Sequence, residues 1–142
     1  MAINRDLKPA TRPFGEGQVI TTERFRYQCS SSLYLVDLPE GFVFDGASIP
    51  RAFWSTTGSP FMPKYIGAGL VHDALYRYAM DATGKPITRK LADQIFVWAL
   101  KRNGVGSYQR WKIYNALRAF GGAAWKKHRK KAAQDLNQSI RG

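Results

Sequence analysis

His72, Asp73 and Asp93 are the residues of this chain whose types and spacing could carry a reaction. An imidazole beside a carboxylate is common apparatus for taking a proton from water. The carboxylate keeps one ring nitrogen protonated and leaves the other as the base. On a helix, the same-face neighbours of His72 are Ala68, Gly69, Leu75 and Tyr76. The ring therefore belongs to an apolar stripe, with two small residues leaving room for an approaching group. Asp93 has Phe96, Val97 and Leu100 toward the C-terminus, and a carboxylate on a core face is costly unless something pairs with it. Tyr76, one turn beyond His72, carries a hydroxyl able to reach the same carboxylate. A buried hydrogen bond that joins two helices without chemistry accounts for the same pattern.

Asp73 points about 100° away from His72 around a helix, toward Leu70, Tyr76 and Arg77. There it could hold a hard cation, calcium or magnesium, completed by loop oxygens. An i,i+4 ion pair with Arg77 is the other reading of the same carboxylate.

Two helices must position these groups. The spacing predicts one from Tyr65 to Met80 and another from Thr88 to Arg102, with Thr88 as N-cap and Gly104 as the stop. The short connection from Asp81 to Ile87 makes them an antiparallel pair. At ~1.5 Å per residue, His72 and Asp93 then lie within about one turn of the same height. A third helix is predicted from Ser107 to Phe120, with Trp111, Tyr114, Leu117 and Phe120 along one stripe that reads as core packing, a base-stacking platform being the alternative. Gly121-Gly122 separates it from a basic extension over Ala123 to Asp135.

The N-terminal half reads differently. Residues 1–17 carry Pro9, Pro13, Gly15 and Gly17 without periodicity and read as an arm. Four short stretches follow, at Gln18–Thr22, Arg24–Gln28, Ser32–Val36 and Gly41–Asp45, rich in β-branched and aromatic residues. A small antiparallel sheet follows from them, and Cys29 reads as a half-buried strand residue. The fold class is α+β: a small N-terminal sheet, then three or four helices. The arm, a single domain over 18–122 and a basic helix or tail over 123–142 make up the chain.

Composition bounds the function. Hydrophobic residues make up 44% and aromatics 13%, enough for a packed core. No run approaches the ~18 apolar residues of a membrane span, and the first residues lack the apolar segment of a secretory signal. Synthesis for the host cytoplasm, with a virion as an alternative destination, is the expectation. One cysteine excludes an internal disulfide and a cysteine-rich zinc site. Net charge is +12, and no Asp or Glu occurs between Asp93 and Asp135. The positive field points to an anionic partner: a membrane surface, nucleic acid or an acidic protein surface. Trp125, Lys126, Lys127, Arg129, Lys130 and Lys131 would meet it, with Trp125 at a lipid interface or the cations on phosphates. A solvated helix face is the bland alternative.

His72-Asp73-x-x-Tyr76, with Asp93 on the following helix, is similar to the signature of phospholipase A2 enzymes over about Gly67 to Leu100. The resemblance implies that His72 activates water, Asp93 orients it, Asp73 binds calcium and Tyr76 braces the pair. It also implies an antiparallel helix pair like that family's. A longer ordered set resembles a phage and prophage family of unknown function, over about Val36 to Phe120. Its motifs here are Gly41-Phe-x-Phe-Asp45-Gly46-Ala47-Ser48-Ile49-Pro50, Trp54, His72-Asp73-x-x-Tyr76 and Arg89-Lys90-x-Ala92-Asp93-x-x-Phe96. That pattern brings in Asp45 as a second metal carboxylate or a partner for His72, and Ser48 and Trp54 as substrate contacts. An Asx turn accounts for Asp45 equally well, and Ser48 lacks the Gly-x-Ser-x-Gly elbow of a nucleophile. The expected function is a phage-encoded His/Asp hydrolase acting on lipid or cell-envelope bonds at an anionic surface. A non-catalytic tail or connector protein that contacts other virion proteins and a nucleic-acid-binding accessory protein are the alternatives.

Overall fold

Alternating apolar and polar residues in Phe25–Gln28 give a half-buried strand, with Phe25 and Tyr27 inside and Arg26 and Gln28 facing outward. The structure, a computed structural model, describes residues 8–15, 17–28, 34–44 and 63–141. Five strands precede three helices: β1 (Thr11–Pro13), β2 (Val19–Thr21), β3 (Phe25–Gln28), β4 (Leu35–Leu38), β5 (Val43–Phe44), α1 (Pro63–Tyr78), α2 (Arg89–Arg102) and α3 (Ser107–Arg141). The class is α+β. Cys29, Asp45, Ser48 and Trp54 lie outside the described residues.

The strands form two sheets rather than one. β2 pairs antiparallel with β1 on one edge and with β5 on the other. Both edges of β2 are thus occupied, so β3 pairs with β4 in a separate two-stranded ribbon. Arg26 lies opposite Asp37 in that ribbon, and Arg24 donates to the same carboxylate. The expected arm is partly structured, because Thr11–Pro13 is the edge strand β1.

α1 and α2 are antiparallel, as their connection predicts. At one end Asn103 donates to the Lys64 carbonyl, and at the other Met80 bridges Pro86. The loop between them is closed by Asp81. Its Oδ1 accepts from the Thr83 and Lys85 amides and the Thr83 hydroxyl, while Oδ2 accepts from the Leu35 amide of β4. One carboxylate thereby ties the helix hairpin to the ribbon. Thr88 caps α2 through the Leu91 amide. At the other end of α2, Gly104 has φ 82° and donates to the Lys101 carbonyl, while Val105 donates to that of Leu100. This is the left-handed closure that favours glycine.

α3 is one helix of 35 residues, running without interruption through Gly121-Gly122. Its buried positions are Ile113, Leu117 and Gly121, a spacing of four. The aromatic stripe expected to pack is therefore displaced: Leu117 is buried, but Trp111 is 63% and Phe120 41% exposed. Steps of three drift around the helix, whereas steps of four keep 113, 117 and 121 against α1 and α2. Phe25, Leu38, Phe44, Leu70, Leu75 and Ile95 are among the buried residues of one core cluster, where each such side chain contributes about 1.5–3 kcal/mol. Among the described residues no helix is long and apolar enough to cross a membrane.

Candidate functional site

His72 is on the face of α1 that meets α2, and Asp93 faces it from the second turn of α2. The expected hydrogen bond forms: His72 Nε2 lies 2.7 Å from Asp93 Oδ1. Tyr76, one turn along α1, donates to the same oxygen at 2.6 Å. Exposure is 3% for His72 and 0% for Tyr76 and Asp93. The imidazole is held by rings as well, with Tyr76 at 4.2 Å and Phe96 at 4.9 Å between centroids.

Two arginines complete the surroundings of Asp93. Arg118 of α3 donates to Oδ2 at 2.7 Å, and Arg89, one turn before Asp93, comes to 3.9 Å. Arg89 also donates to the Leu117 and Arg118 carbonyls of α3. Burial pushes the Asp93 carboxyl up, but the hydrogen bond and charge of His72 and the bonds from Tyr76 and Arg118 outweigh it. The carboxyl is held below its ordinary range. Burial and the bond to that carboxylate push the Tyr76 phenol well up, so it stays a proton donor. An ionised carboxylate only accepts, so in the neutral form of the His72 ring the proton is on Nε2. Nδ1 is then the unprotonated nitrogen, and no described residue bonds to it.

Small residues let the helices approach this closely. A Cβ added to Gly121 would lie 2.5 Å from the Tyr76 hydroxyl and 3.3 Å from Arg89 Nη1. What resembles a helix break in the sequence is the point where α3 crosses over the network. Gly69 serves similarly: a Cβ there would come within 2.8 Å of the Phe44 ring. The room beside His72 that Ala68 and Gly69 leave is thus used, at Gly69, by a core phenylalanine.

Asp73 takes its own direction, as expected. Its Oδ2 accepts from Arg77 at 3.0 Å, and Arg77 also donates to the Val43 carbonyl. Arg77 thus holds one oxygen of Asp73, the i,i+4 pair offered by the sequence, while Asp45, the other carboxylate expected at a metal, lies outside the described residues. No group of three or more metal-binding side chains occurs among the described residues.

The basic segment divides by face. Trp125 and Arg129 are half-buried. Trp125 meets the Tyr76 ring edge-on at 5.3 Å, and Arg129 stacks over Trp125 at 4.9 Å. Arg129 also donates to the Tyr76 carbonyl at 2.7 Å and to that of Arg77. It thereby caps the C-terminal end of α1 from another helix. Lys126, Lys127, Lys130 and Lys131 remain exposed.

The family described as "Protein of unknown function (DUF1353)" matches residues 20–117. The chain belongs to this family. The match takes in β2 through the first part of α3, including His72, Tyr76, Arg89 and Asp93. The chain is also 32% identical over 84 residues to the uncharacterized protein y4jT of Sinorhizobium fredii. That stretch is 59% of this chain and 23% of the relative, so the chain spans about a quarter of the relative's length. No solved structure matches the chain.

Sequence reasoning about this DUF1353 chain did not assign Arg89 and Arg118 to the site. Arg89 carries a legible signal, a cation one turn before a buried acid. Arg118 carries none locally, being 25 residues from Asp93 and one of many cations on α3.

Proposed function

We propose that this DUF1353 protein is a hydrolase in which His72 is the general base. The observation that carries the reading is the 2.7 Å bond from His72 Nε2 to Asp93, itself braced by Tyr76 and Arg118. Such bracing sets the tautomer and aims Nδ1, the atom that accepts a proton. Water attacks an ester or amide carbonyl and passes a proton to Nδ1. The tetrahedral intermediate then expels the alkoxide or amine, which takes that proton back. Asp93 keeps its charge throughout and stabilises the imidazolium. The likeness of the ordered motifs to phospholipase A2 enzymes and to phage proteins supports lipid esters or cell-envelope bonds as substrate. No step here uses a metal.

The test compares wild type with His72→Asn, both verified as folded by thermal melting. Release of fatty acid from phosphatidylglycerol vesicles, and of fragments from peptidoglycan, is followed with and without calcium. Wild type is expected to exceed the variant by roughly a hundredfold or more. Wild-type release no faster than that of His72→Asn on every substrate refutes the reading.

One observation favours a second reading. Asp93 is fully buried and collects partners from all three helices, as a purely structural hub would. On this reading the protein is a non-catalytic building block of a phage particle. Its signature is loss of melting temperature in His72→Asn and Asp93→Asn without any turnover to lose, together with presence of the protein in purified virions.

A further inference from the structure

Two cavities meet at Tyr78, at the C-terminal end of α1. The larger, of about 970 Å³, is a cleft between the end of α1 and the second half of α3. Arg77, Lys127, Lys130 and Lys131 line it, with Asp135 as the carboxylate among them. The lysines are exposed and recur at three and four residues on α3, so they present one cationic face. The smaller, of about 230 Å³, is apolar, lined by Val36, Ala74, Leu75, Met80 and Ala82. Two carboxylates also border it, but their charges are occupied. Asp37 pairs with Arg24 and Arg26, and Asp81 accepts the hydrogen bonds that close the helix hairpin. Tyr78 and Met80 stand exposed between the two surfaces.

We propose that this junction binds an anionic phospholipid of a membrane, with its phosphate in the cationic cleft and the start of an acyl chain in the apolar pocket. Charge complementarity selects the headgroup, and the adjoining apolar walls select an amphiphile over a bare polyanion. A phosphodiester strand has nothing to place in an aliphatic pocket. Lys127 to Lys131 also span only about 6 Å along α3, too short a track for several consecutive phosphates. Exposed Tyr and Met beside lysines is a composition that sits well at a lipid interface. The inference concerns binding and does not require His72 to be a base.

The experiment measures co-sedimentation of the full chain with vesicles of phosphatidylglycerol and phosphatidylcholine, and of phosphatidylcholine alone, at 0.1 M salt. Three proteins are compared. One carries Lys127→Gln, Lys130→Gln and Lys131→Gln; a charge-matched control carries Lys90→Gln, Lys101→Gln and Lys112→Gln; the third is wild type. With each lysine contributing up to about fivefold near an anionic surface, the cleft triple is expected to lose at least tenfold and the control under threefold. Tyr78→Ser with Met80→Ser is expected to lower binding that persists at 0.5 M salt, where charge is screened. Equal losses in the two triples would mean diffuse net charge and overturn the proposal. It is also overturned if single- or double-stranded DNA binds more tightly than the vesicles and the cleft triple abolishes that binding. Circular dichroism confirms that all variants fold.

Discussion

Replacing Asp93 by asparagine keeps the shape of the side chain and removes its charge, which makes it the sharpest probe of the helix junction. In the wild type the carboxylate accepts from His72, Tyr76 and Arg118 and faces Arg89 at 3.9 Å. Breaking a buried ion pair by removing one partner costs about 3–5 kcal/mol. Arg118 and Arg89 keep 32% and 22% of their side chains exposed, so water screens part of their orphaned charge. The lower end, about 3 kcal/mol, is the working figure. For a chain of this size that lowers the melting temperature by roughly 10–15 °C. The pH dependence gives a second, independent signature. The folded-state Asp93 carboxyl is depressed, so its stabilisation is fully present above the unfolded carboxylate value, near pH 4. It is lost as pH falls through the depressed folded value. Urea titrations of wild type and Asp93→Asn should therefore differ at pH 7 and converge in strong acid, below the depressed Asp93 value. Other depressed carboxylates, such as Asp81, occur in both proteins and cancel in the difference. A gap below about 1 kcal/mol at pH 7, or one that does not narrow in acid, refutes the argument that a charged Asp93 locks the helices.

Three further outcomes follow from the packing. Gly121→Ala should destabilise by about 1–3 kcal/mol because its methyl group meets the Tyr76 hydroxyl. Gly122→Ala, whose Cβ would meet Arg89 Cζ at an ordinary 3.9 Å, should be neutral or gain up to about 1 kcal/mol of helix propensity; equal effects in denaturant titrations would contradict the crossing described here. Asp81→Ala should cost about 2 kcal/mol by orphaning the Leu35 and loop amides, and amide hydrogen exchange at residues 82–85 should quicken. Arg129→Gln should uncap α1 for about 1–2 kcal/mol, whereas Leu136→Ser with Ile140→Ser, both exposed, should change the melting temperature by no more than about 1–2 °C.

Local pattern made the helical half of the protein readable. Apolar periodicity located α1 and α2, and a short connection made them antiparallel. Thr88 and Gly104 marked the ends of α2 because capping depends on side-chain chemistry within a few residues. The same locality made the His72–Asp93 bond foreseeable, since both groups lie at known heights on neighbouring helices. The two-sheet arrangement was less legible, because which strands occupy the edges of β2 depends on pairings between distant segments.

By itself, then, the sequence determined an α+β chain with a charged pair on facing helices and a strongly basic C-terminal region. The path of α3 was decided only by tertiary structure. In a glycine pair that locally favours a break, Gly121 is instead buried at a crossing, where packing outweighs a propensity cost of about 1 kcal/mol. That crossing delivers Arg118 to Asp93, turns Trp125 and Arg129 inward, and leaves Lys127, Lys130 and Lys131 facing the cleft. The physical reason is range. Caps and periodicity act over one or two turns, whereas the partners of a buried charge are chosen by which distant side chains three packed helices bring within 3 Å.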